Sequence, residues 1–298
     1  FKVWIPEAYG GLGRDDQHNV LSLCLVVEQL SRACGGVGVL FAVNALGSFP
    51  ILLAGTEKQK KKYLPKIASG EVGIAFCLSE KTAGSDAQSL KVRGEKDGDG
   101  WKIYGEKKWT TNGGVADIYS VFAVTDPTSK SRRISAIVVE KGTPGFEVKK
   151  VEDKMGIRCV PVVETHFDHV RVPKANLIGS PGQGVYLMGK ELNQERLLIA
   201  VSAVAAARAA LDWTIDYCKE RHAFGRPIGK FQNSRFLLAE METEVTIGQT
   251  FIDRCVMEWN EGSLPPAEVA MAKWWATDLQ QRTIDRCLQL HGGYGYMT

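Results

Sequence analysis

The sequence contains no long basic run, no CxxC pair and no complete dinucleotide fingerprint, and each absence excludes a class of protein. Its 37 basic and 34 acidic residues are interspersed and leave a net charge of +3, which argues against a dedicated nucleic-acid-binding protein. The seven cysteines are scattered and odd in number, so we expect free thiols in a reducing compartment. Gly182 and Gly184 begin a GxG pattern, but residue 187 is leucine and no predicted strand precedes it, so the nicotinamide-binding motif is excluded.

A starting methionine, a signal peptide and an apolar stretch of membrane length are also missing. The longest apolar stretches are interrupted well before the roughly 20 residues that a membrane helix needs, so the sequence predicts no membrane span. The chain begins at Phe1 within what reads as a continuing element and stops at Thr298 directly after a motif. We therefore interpret it as part of a longer chain.

Hydrophobic periodicity divides the 298 residues into three regions. Residues 1–72 follow helical spacing, residues 73–175 switch towards a period of two, and residues 176–298 return to helical spacing. The predicted fold class is α+β: an N-terminal helical domain, a middle antiparallel β domain of barrel or sandwich type, and a C-terminal helical bundle.

The middle region contains seven candidate strands, separated by clusters of Gly, Pro, Asp and Ser. They cover residues 74–78, 90–93, 101–104, 118–125, 134–139, 146–150 and 165–167. Three long helices are predicted in the C-terminal region, at residues 184–221, 229–261 and 266–290. Thr56 with Gln59 three residues later predicts a capping box, and Asp15 or Asp16 is placed to cap the helix that follows it.

Two of the predicted strands run into polar turns rich in small residues. Residues 76–86 read FCLSEKTAGSD, and residues 108–114 read KWTTNGG. A strand end of this kind presents backbone N–H groups and small hydroxyls, which suit a flat polar ring or a phosphate group. Glu80 and Asp86 are predicted to fix the first turn rather than to react.

The segment SEKTAGSD at residues 79–86 resembles the first signature of the acyl-CoA dehydrogenase family, and QLHGGYG at residues 289–295 resembles the second. The resemblance spans nearly the whole chain, with several separated motifs in the family's order. It implies the family fold, in which helices, a β domain and a helical bundle follow one another. It also implies an FAD enzyme that introduces an α,β double bond into an acyl-CoA thioester.

The resemblance implies non-covalent FAD and assigns residues to its ring. Phe76, Leu78 and Ser79 would lie along the isoalloxazine, while Trp109 and Thr111 would flank it. An aromatic ring and hydroxyls at strand ends suit a flavin, which offers both a π-face and hydrogen-bonding atoms. Considered singly, Trp109 would more often be a core residue than a cofactor contact.

Residues 221–225, RHAFG, resemble the segment that reaches the adenine and diphosphate end of FAD in a neighbouring subunit. The residues that the resemblance assigns to this end are Arg221, Phe224, Gln232, Gln289, Gly292 and Gly293. An arginine suits a diphosphate because its fork makes two charge-assisted bonds. Gly292–Gly293 alone favours an ordinary helix C-cap. If the resemblance holds, these contacts require a homodimer or homotetramer.

Glu195 interrupts an otherwise apolar stripe on the predicted helix 184–221. The stripe comprises Met188, Leu192, Glu195, Ile199, Ser202 and Ala206, at spacings of three and four. Burial would raise the pKa of this carboxyl towards neutrality, as general-base work on a carbon acid requires. From periodicity alone, the simpler interpretation is an exposed Glu195 or one paired with Arg196.

Residues 190–200, KELNQERLLIA, resemble the long-chain and isovaleryl types of the family, which place the catalytic base on this helix, at Glu195. Other members place it beyond the Gly-Gly-Tyr-Gly segment, at a position that would follow Thr298. The same resemblance implies that Arg196 holds the CoA portion and that Ser85, Tyr186 and Asn193 line the substrate path.

The sequence and the resemblance together predict an acyl-CoA dehydrogenase that passes electrons to electron-transferring flavoprotein, in a bacterial cytoplasm or a mitochondrial matrix. Three alternatives stay open: an acyl-CoA oxidase that reduces oxygen, a catalytically silent relative with a binding or assembly role, and a CoA-binding module without redox activity. No metal site is predicted, because His166 and His169, three apart on a strand, point to opposite faces. The length and branching of the acyl chain are not predicted.

Overall fold

A computed structural model describes residues 1–13 and 20–297. The chain forms two compact units: one comprises Phe1–Ser22 and Val39–Leu192, and the other comprises Leu23–Gly38 and Asn193–Thr298. The domain boundaries after residues 72 and 175 stay a prediction. Asp15 and Asp16, predicted to cap a helix, lie outside the described residues.

The first unit is built on an eight-stranded sheet. Its strands are β1 (Ile74–Cys77), β2 (Arg93–Asp97), β3 (Gly100–Thr111), β4 (Ile118–Val124), β5 (Ile134–Glu140), β6 (Phe146–Val151), β7 (Val162–Pro173) and β8 (Leu177–Ile178). The order across the sheet is β6-β7-β3-β2-β4-β5-β8, with β1 paired to β4. The sheet is mainly antiparallel, as predicted, but β4 runs parallel to both β1 and β2.

The core of this sheet is formed by residues that alternate along its strands. Trp101 and Ile103 of β3 lie inside with Phe167 and Val170 of β7, while β4 is buried along its whole length. Such fully buried strands read as continuous apolar runs, which is why the sequence predicted β4 and β5 well.

Some predicted strand limits were wrong, because charged residues on exposed faces hid the pattern. Of the predicted strand 90–93 only Arg93 belongs to β2; residues 90–92 precede it, although Leu90 and Val92 are buried. The predicted strands 101–104 and 165–167 cover only parts of β3 and β7, which are each 12 residues long. The two-residue strand β8 was not predicted. The Asp97 to Gly100 turn joins β2 to β3 as a hairpin.

Two helices, α2 (Gly35–Ala54) and α3 (Glu57–Ser69), precede the sheet. The capping box predicted at α3 is confirmed: the Gln59 N–H donates to the Thr56 hydroxyl at 3.2 Å, and the Thr56 N–H donates to the Gln59 side chain at 2.8 Å. This reciprocal pair satisfies two of the N–H groups that a helix start leaves open.

The expectation that no apolar stretch reaches membrane length was wrong. Helix α2 has 20 residues and α4 (Gly184–Glu220) has 37, and each contains a stretch long and apolar enough to cross a membrane. In each stretch 56% of the residues are buried inside the protein. Core helices of globular proteins meet the same criterion, so the two helices are weak evidence for a membrane span.

The second unit is helical. Its elements are α1 (Leu21–Ala33), α4 from Asn193 onward, β9 (His222–Ala223), β10 (Arg226–Pro227), α5 (Gln232–Asn260), α6 (Pro266–His291) and α7 (Gly293–Tyr296). Helix α6 begins at the predicted proline and ends at His291, with Gly292 as its C-cap. Helix α5 begins three residues later than predicted because residues 228–230 form a 3-10 turn. Helices α5 and α6 pack closely at Gly248, where an added Cβ would lie 2.8 Å from the Leu279 side chain.

Candidate active site

The two polar strand ends predicted from the sequence meet in the first unit. We call Phe76, Leu78, Ser79, Trp109 and Thr111 the strand-end site. Its two segments are joined by a hydrogen bond from the N–H of Lys108 to the carbonyl of Ser79, at 2.8 Å. Segments about 30 residues apart in the sequence are therefore held side by side, as the resemblance implied.

A β-bulge in β3 directs Trp109 outward. Strand β3 carries one more residue than β7 between the pairs Lys107–Thr165 and Thr110–Val163. Trp109, inside the bulge, has a φ of +55° and is 54% exposed, while Lys107 and Thr110 on either side are buried. Positive φ is uncommon for a bulky residue and tends to occur at functional sites. The single-residue interpretation of Trp109 as part of the core is therefore wrong.

A buried ion pair lies beneath the strand-end site. The Lys107 ammonium donates to Glu80 Oε1 and to the Leu78 carbonyl, both at 2.8 Å, and its side chain has no exposed surface. Glu80 also accepts the N–H groups of Lys91 at 2.7 Å and Val92 at 3.0 Å. Burial lowers the pKa of Lys107 to about 8, against the opposing effect of the Glu80 carboxylate. Glu80 fixes the turn, as predicted.

Ser79 keeps its polar groups available. Within the part of the chain that the structure describes, neither its N–H nor its hydroxyl makes a hydrogen bond. Phe76 packs against Phe122 with ring centroids 4.9 Å apart. The strand-end site thus offers an aromatic ring, an apolar edge and free donors, and these groups fit the face and the polar edge of a flavin ring.

The remaining predicted residues of the first unit lie on its surface. Ser85 is exposed in the turn that follows Glu80, where Asp86 bonds to the Ser89 hydroxyl. Tyr186 is 61% exposed, with the Lys190 ammonium 6.0 Å from its ring centroid. The structure does not join either of them to the strand-end site by a hydrogen bond.

In the second unit, Arg221 and Gly292–Gly293 line one pocket of about 460 Å³. Its other lining residues are Tyr217, Ile228, Leu290, His291, Tyr294 and Met297. Gly292 has φ +60° and ψ −134°, a conformation essentially restricted to glycine, and nothing lies within 4 Å of the Cβ position at either glycine. The guanidinium of Arg221 lies 5.6 Å from the ring centroid of Tyr294. A cation beside an open glycine turn fits the diphosphate of FAD.

Sequence reasoning missed the residues that hold this pocket together. The rings of Tyr217 and His291 stack at 4.2 Å, and His291 Nε2 lies 3.3 Å from the Thr214 hydroxyl. Tyr217 lies one helical turn before Arg221, whose N–H donates to the Tyr217 carbonyl at 2.8 Å, so helical spacing was the signal that could have found it.

Three residues predicted for this end of FAD do not line the pocket. Phe224 is 95% exposed at a φ of +51° in the β9–β10 hairpin, with its ring 6.1 Å from that of Phe231. Gln232 is the first residue of α5 and Gln289 lies in the last turn of α6, and both are exposed. Their exposure leaves them free to contact a second subunit.

Glu195 lies on α4, where its side chain is partly buried. Its Oε2 is buried and makes no hydrogen bond to any residue the structure describes. Burial raises the pKa of Glu195 to about 7, in the direction that the apolar stripe predicted. The alternative of a pair with Arg196 was wrong, since Arg196 instead donates to Asn193 Oδ1 at 2.6 Å.

Comparison with known proteins shows the family to which the sequence belongs. The sequence matches the acyl-CoA dehydrogenase N-terminal domain over residues 1–71, the middle domain over residues 75–170 and the C-terminal domain over residues 182–298. The chain belongs to the acyl-CoA dehydrogenase family. The family and its α+β fold, predicted from the sequence, are confirmed.

Individual relatives cover most of the chain. An acyl-CoA dehydrogenase from Bacillus subtilis is 41% identical over 98% of this chain and 76% of its own length. The structure of butyryl-CoA dehydrogenase from Megasphaera elsdenii matches with a TM-score of 0.94 and 37% identity, over 99% of this chain and 78% of that one. A glutaryl-CoA dehydrogenase from Mycobacterium smegmatis in complex with FADH2 matches with a TM-score of 0.90 and 28% identity, over 96% and 72% of the two chains.

Membership of the acyl-CoA dehydrogenase family makes this chain a flavoprotein oxidoreductase with FAD as its cofactor. The strand-end site and the Arg221 pocket, each within its own unit, offer the groups that such a cofactor needs. The roles of individual residues, the subtype and the location of the base stay predictions.

Proposed function

We propose that this chain dehydrogenates an acyl-CoA thioester to the trans-2-enoyl-CoA, with Glu195 as the base that removes the α-proton. The observation that carries the proposal is the state of this carboxyl: a buried Oε2 without a partner among the described residues, and a pKa of about 7. A base whose pKa lies near the working pH is both ionised often enough and basic enough to take a proton from carbon. A positioned general base typically contributes about 10² to 10⁴ in rate.

FAD, when bound, supplies an acceptor for the β-hydrogen, which leaves the substrate as hydride. The residues proposed to hold its ring are those of the strand-end site. Ser79 would donate its N–H and hydroxyl to the polar edge, and Trp109 and Thr111 would flank the ring. Phe76 and Leu78 would exclude water from the apolar side.

The diphosphate and adenine end of FAD would be held by the Arg221 pocket of a second copy of the chain. Gly292 and Gly293 would line that contact, and the exposed Phe224, Gln232 and Gln289 would complete it. A homodimer or homotetramer is supported by large apolar side chains left exposed on α5 and α6. They include Phe236 at 60%, Ile247 at 56%, Met271 at 54% and Trp274 at 63% exposure.

For the substrate, we propose that Arg196 holds the CoA portion, while Ser85, Tyr186 and Asn193 line its path. The electrons would pass to electron-transferring flavoprotein in a bacterial cytoplasm or a mitochondrial matrix. A reducing compartment is supported by the seven cysteines, all free thiols in the structure.

An anaerobic titration tests the proposal. The purified protein is mixed with butyryl-, isovaleryl-, glutaryl- and palmitoyl-CoA while the visible absorbance of the flavin is followed. We expect one or more of these thioesters to bleach the wild type and an Asp216→Asn control, which also exchanges a carboxylate for an amide on α4 at an exposed position. The same thioester should bleach Glu195→Gln at least about a hundredfold more slowly.

Normal bleaching of Glu195→Gln would show that the base lies elsewhere and would overturn the assignment. Protein that purifies without yellow colour would instead be the silent relative. Rapid reoxidation of the bleached enzyme in air would identify an oxidase.

A further inference from the structure

The buried pair of Lys107 and Glu80 has no part in the proposed reaction, yet it contacts the strand-end site directly. Glu80 is held by the Lys91 and Val92 N–H groups as well as by Lys107. Because three donors fix this carboxylate, it in turn fixes the position of the ammonium. Lys107 then directs a second hydrogen bond, of 2.8 Å, to the carbonyl of Leu78.

That carbonyl and the N–H of Ser79 belong to the same peptide unit. A charged donor on the carbonyl draws electron density from the amide, so the N–H on its other side becomes a stronger donor. The next peptide unit, Ser79–Glu80, is fixed as well, because the carbonyl of Ser79 accepts the N–H of Lys108 at 2.8 Å. Among the residues that the structure describes, the Ser79 N–H has no acceptor. An oriented, strengthened donor is thus left free at the end of β1.

We infer that Lys107 is a positioning residue that orients and polarises the Leu78–Ser79 peptide, so that the Ser79 N–H donates strongly to the polar edge of the flavin ring. The inference rests on the proposed function, which assigns Ser79 to that edge. A flavin gains negative charge at this edge when it is reduced, so a stronger donor favours the reduced state. Loss of the Lys107 charge shifts the equilibrium towards the oxidised state.

The neighbouring lysine provides a matched control. Lys108 points away from the 78–79 peptide and pairs with Glu152, at 3.1 Å, and with Glu164. Lys108→Met removes the same charge one residue along the strand, while the backbone bond from residue 108 to Ser79 remains. If only the loss of a positive charge matters, substitutions at both positions should shift the flavin potential. If polarisation of the peptide matters, only substitution of Lys107 should shift it.

The test measures the midpoint potential of the bound flavin against a reference dye, without substrate. Lys107→Met alone leaves the Glu80 charge buried without its cation, so the main variant is the double substitution Glu80→Gln with Lys107→Met. The glutamine removes the buried charge and keeps one acceptor oxygen for the two N–H groups of Lys91 and Val92. We expect its oxidised-to-reduced ratio to rise at least tenfold at a fixed potential, about 30 mV for a two-electron couple. Lys108→Met should change the ratio less than twofold. Lys107→Gln, which keeps a neutral donor, should fall between them and serves if the double variant does not fold.

Equal shifts at positions 107 and 108, or no shift at 107, would overturn the inference. Neither result affects the proposed function, which depends on bleaching by acyl-CoA. Wild type that binds flavin but is not bleached overturns the proposed function, while the potentials still decide the inference. Wild type that binds no flavin overturns both.

Discussion

Glu80 and Glu195 each have a carboxyl oxygen buried away from water, but the hydrogen-bond partners of these oxygens differ completely. Glu80, 4% exposed, accepts hydrogen bonds from an ammonium and two backbone N–H groups. Glu195 Oε2 is buried without any such donor in the described parts of the chain. Burial alone therefore does not mark a reactive carboxyl. The deciding factor is whether the fold supplies donors for the charged form, since donors stabilise the anion and their absence favours the proton.

The largest effect on stability is expected when the ion pair between Lys107 and Glu80 is broken. Lys107→Met leaves the buried Glu80 carboxylate without its cation, which should lower the free energy of unfolding by about 3–5 kcal/mol. The double substitution with Glu80→Gln should recover most of that loss. Urea denaturation followed by far-ultraviolet circular dichroism measures both. A single variant as stable as the wild type would show that Glu80 does not need this cation.

A smaller effect on stability is expected from the carboxyl of Glu195, whose buried Oε2 has no donor among the described residues. The pKa of Glu195 is about 7 in the folded state against an ordinary 4.5, so between these values the folded state binds more protons than the unfolded one. The free energy of unfolding therefore falls as pH rises from about 4.5 through 7, by at most about 3 kcal/mol.

Glu195→Gln cannot lose a proton and should be more stable than the wild type above pH 7, with the difference vanishing below about pH 4.5. Denaturant midpoints at pH 5, 7 and 9 measure this, with Asp216→Asn as the control. A difference that does not change with pH would contradict the raised pKa.

The smallest expected effect is the pH dependence of kcat/KM. If Glu195 must be ionised to act, kcat/KM should rise about tenfold per pH unit below 7 and level off above it, roughly 50-fold in all between pH 5 and pH 7. Assays with an artificial electron acceptor give this profile. A plateau that extends down to pH 5 would mean that the base titrates near its ordinary pKa and that Glu195 is not the base.

The sequence predicted only part of the contrast between Glu80 and Glu195. Glu80 stands in a recognisable turn motif, so its role in fixing the turn was predicted. Its partner Lys107 was missed, although the alternation along β3 places it on the same face as the buried Trp101 and Ile103. The signal was overlooked because a lysine in a strand is ordinarily exposed.

The exposure of Trp109 could not be predicted from the sequence for a different reason. Strict alternation gives no reason for an exposed tryptophan between the buried Lys107 and Thr110, since that arrangement depends on one extra residue in β3. A bulge is a property of two paired strands, and it cannot be located from one of them.

Local pattern was enough to predict the order of helical and β regions, the capping box at Thr56 and the stripe that contains Glu195, because these depend on residues near one another in the chain. The family was predicted from the resemblance of short motifs to its signatures. The mixed sheet, the bulge at Trp109 and the Lys107–Glu80 pair were decided by tertiary structure. So was the lack of a donor at Glu195 Oε2 within the described residues. Each of these depends on which distant segments become neighbours, and the pKa of a carboxyl follows from those neighbours rather than from its place in the sequence.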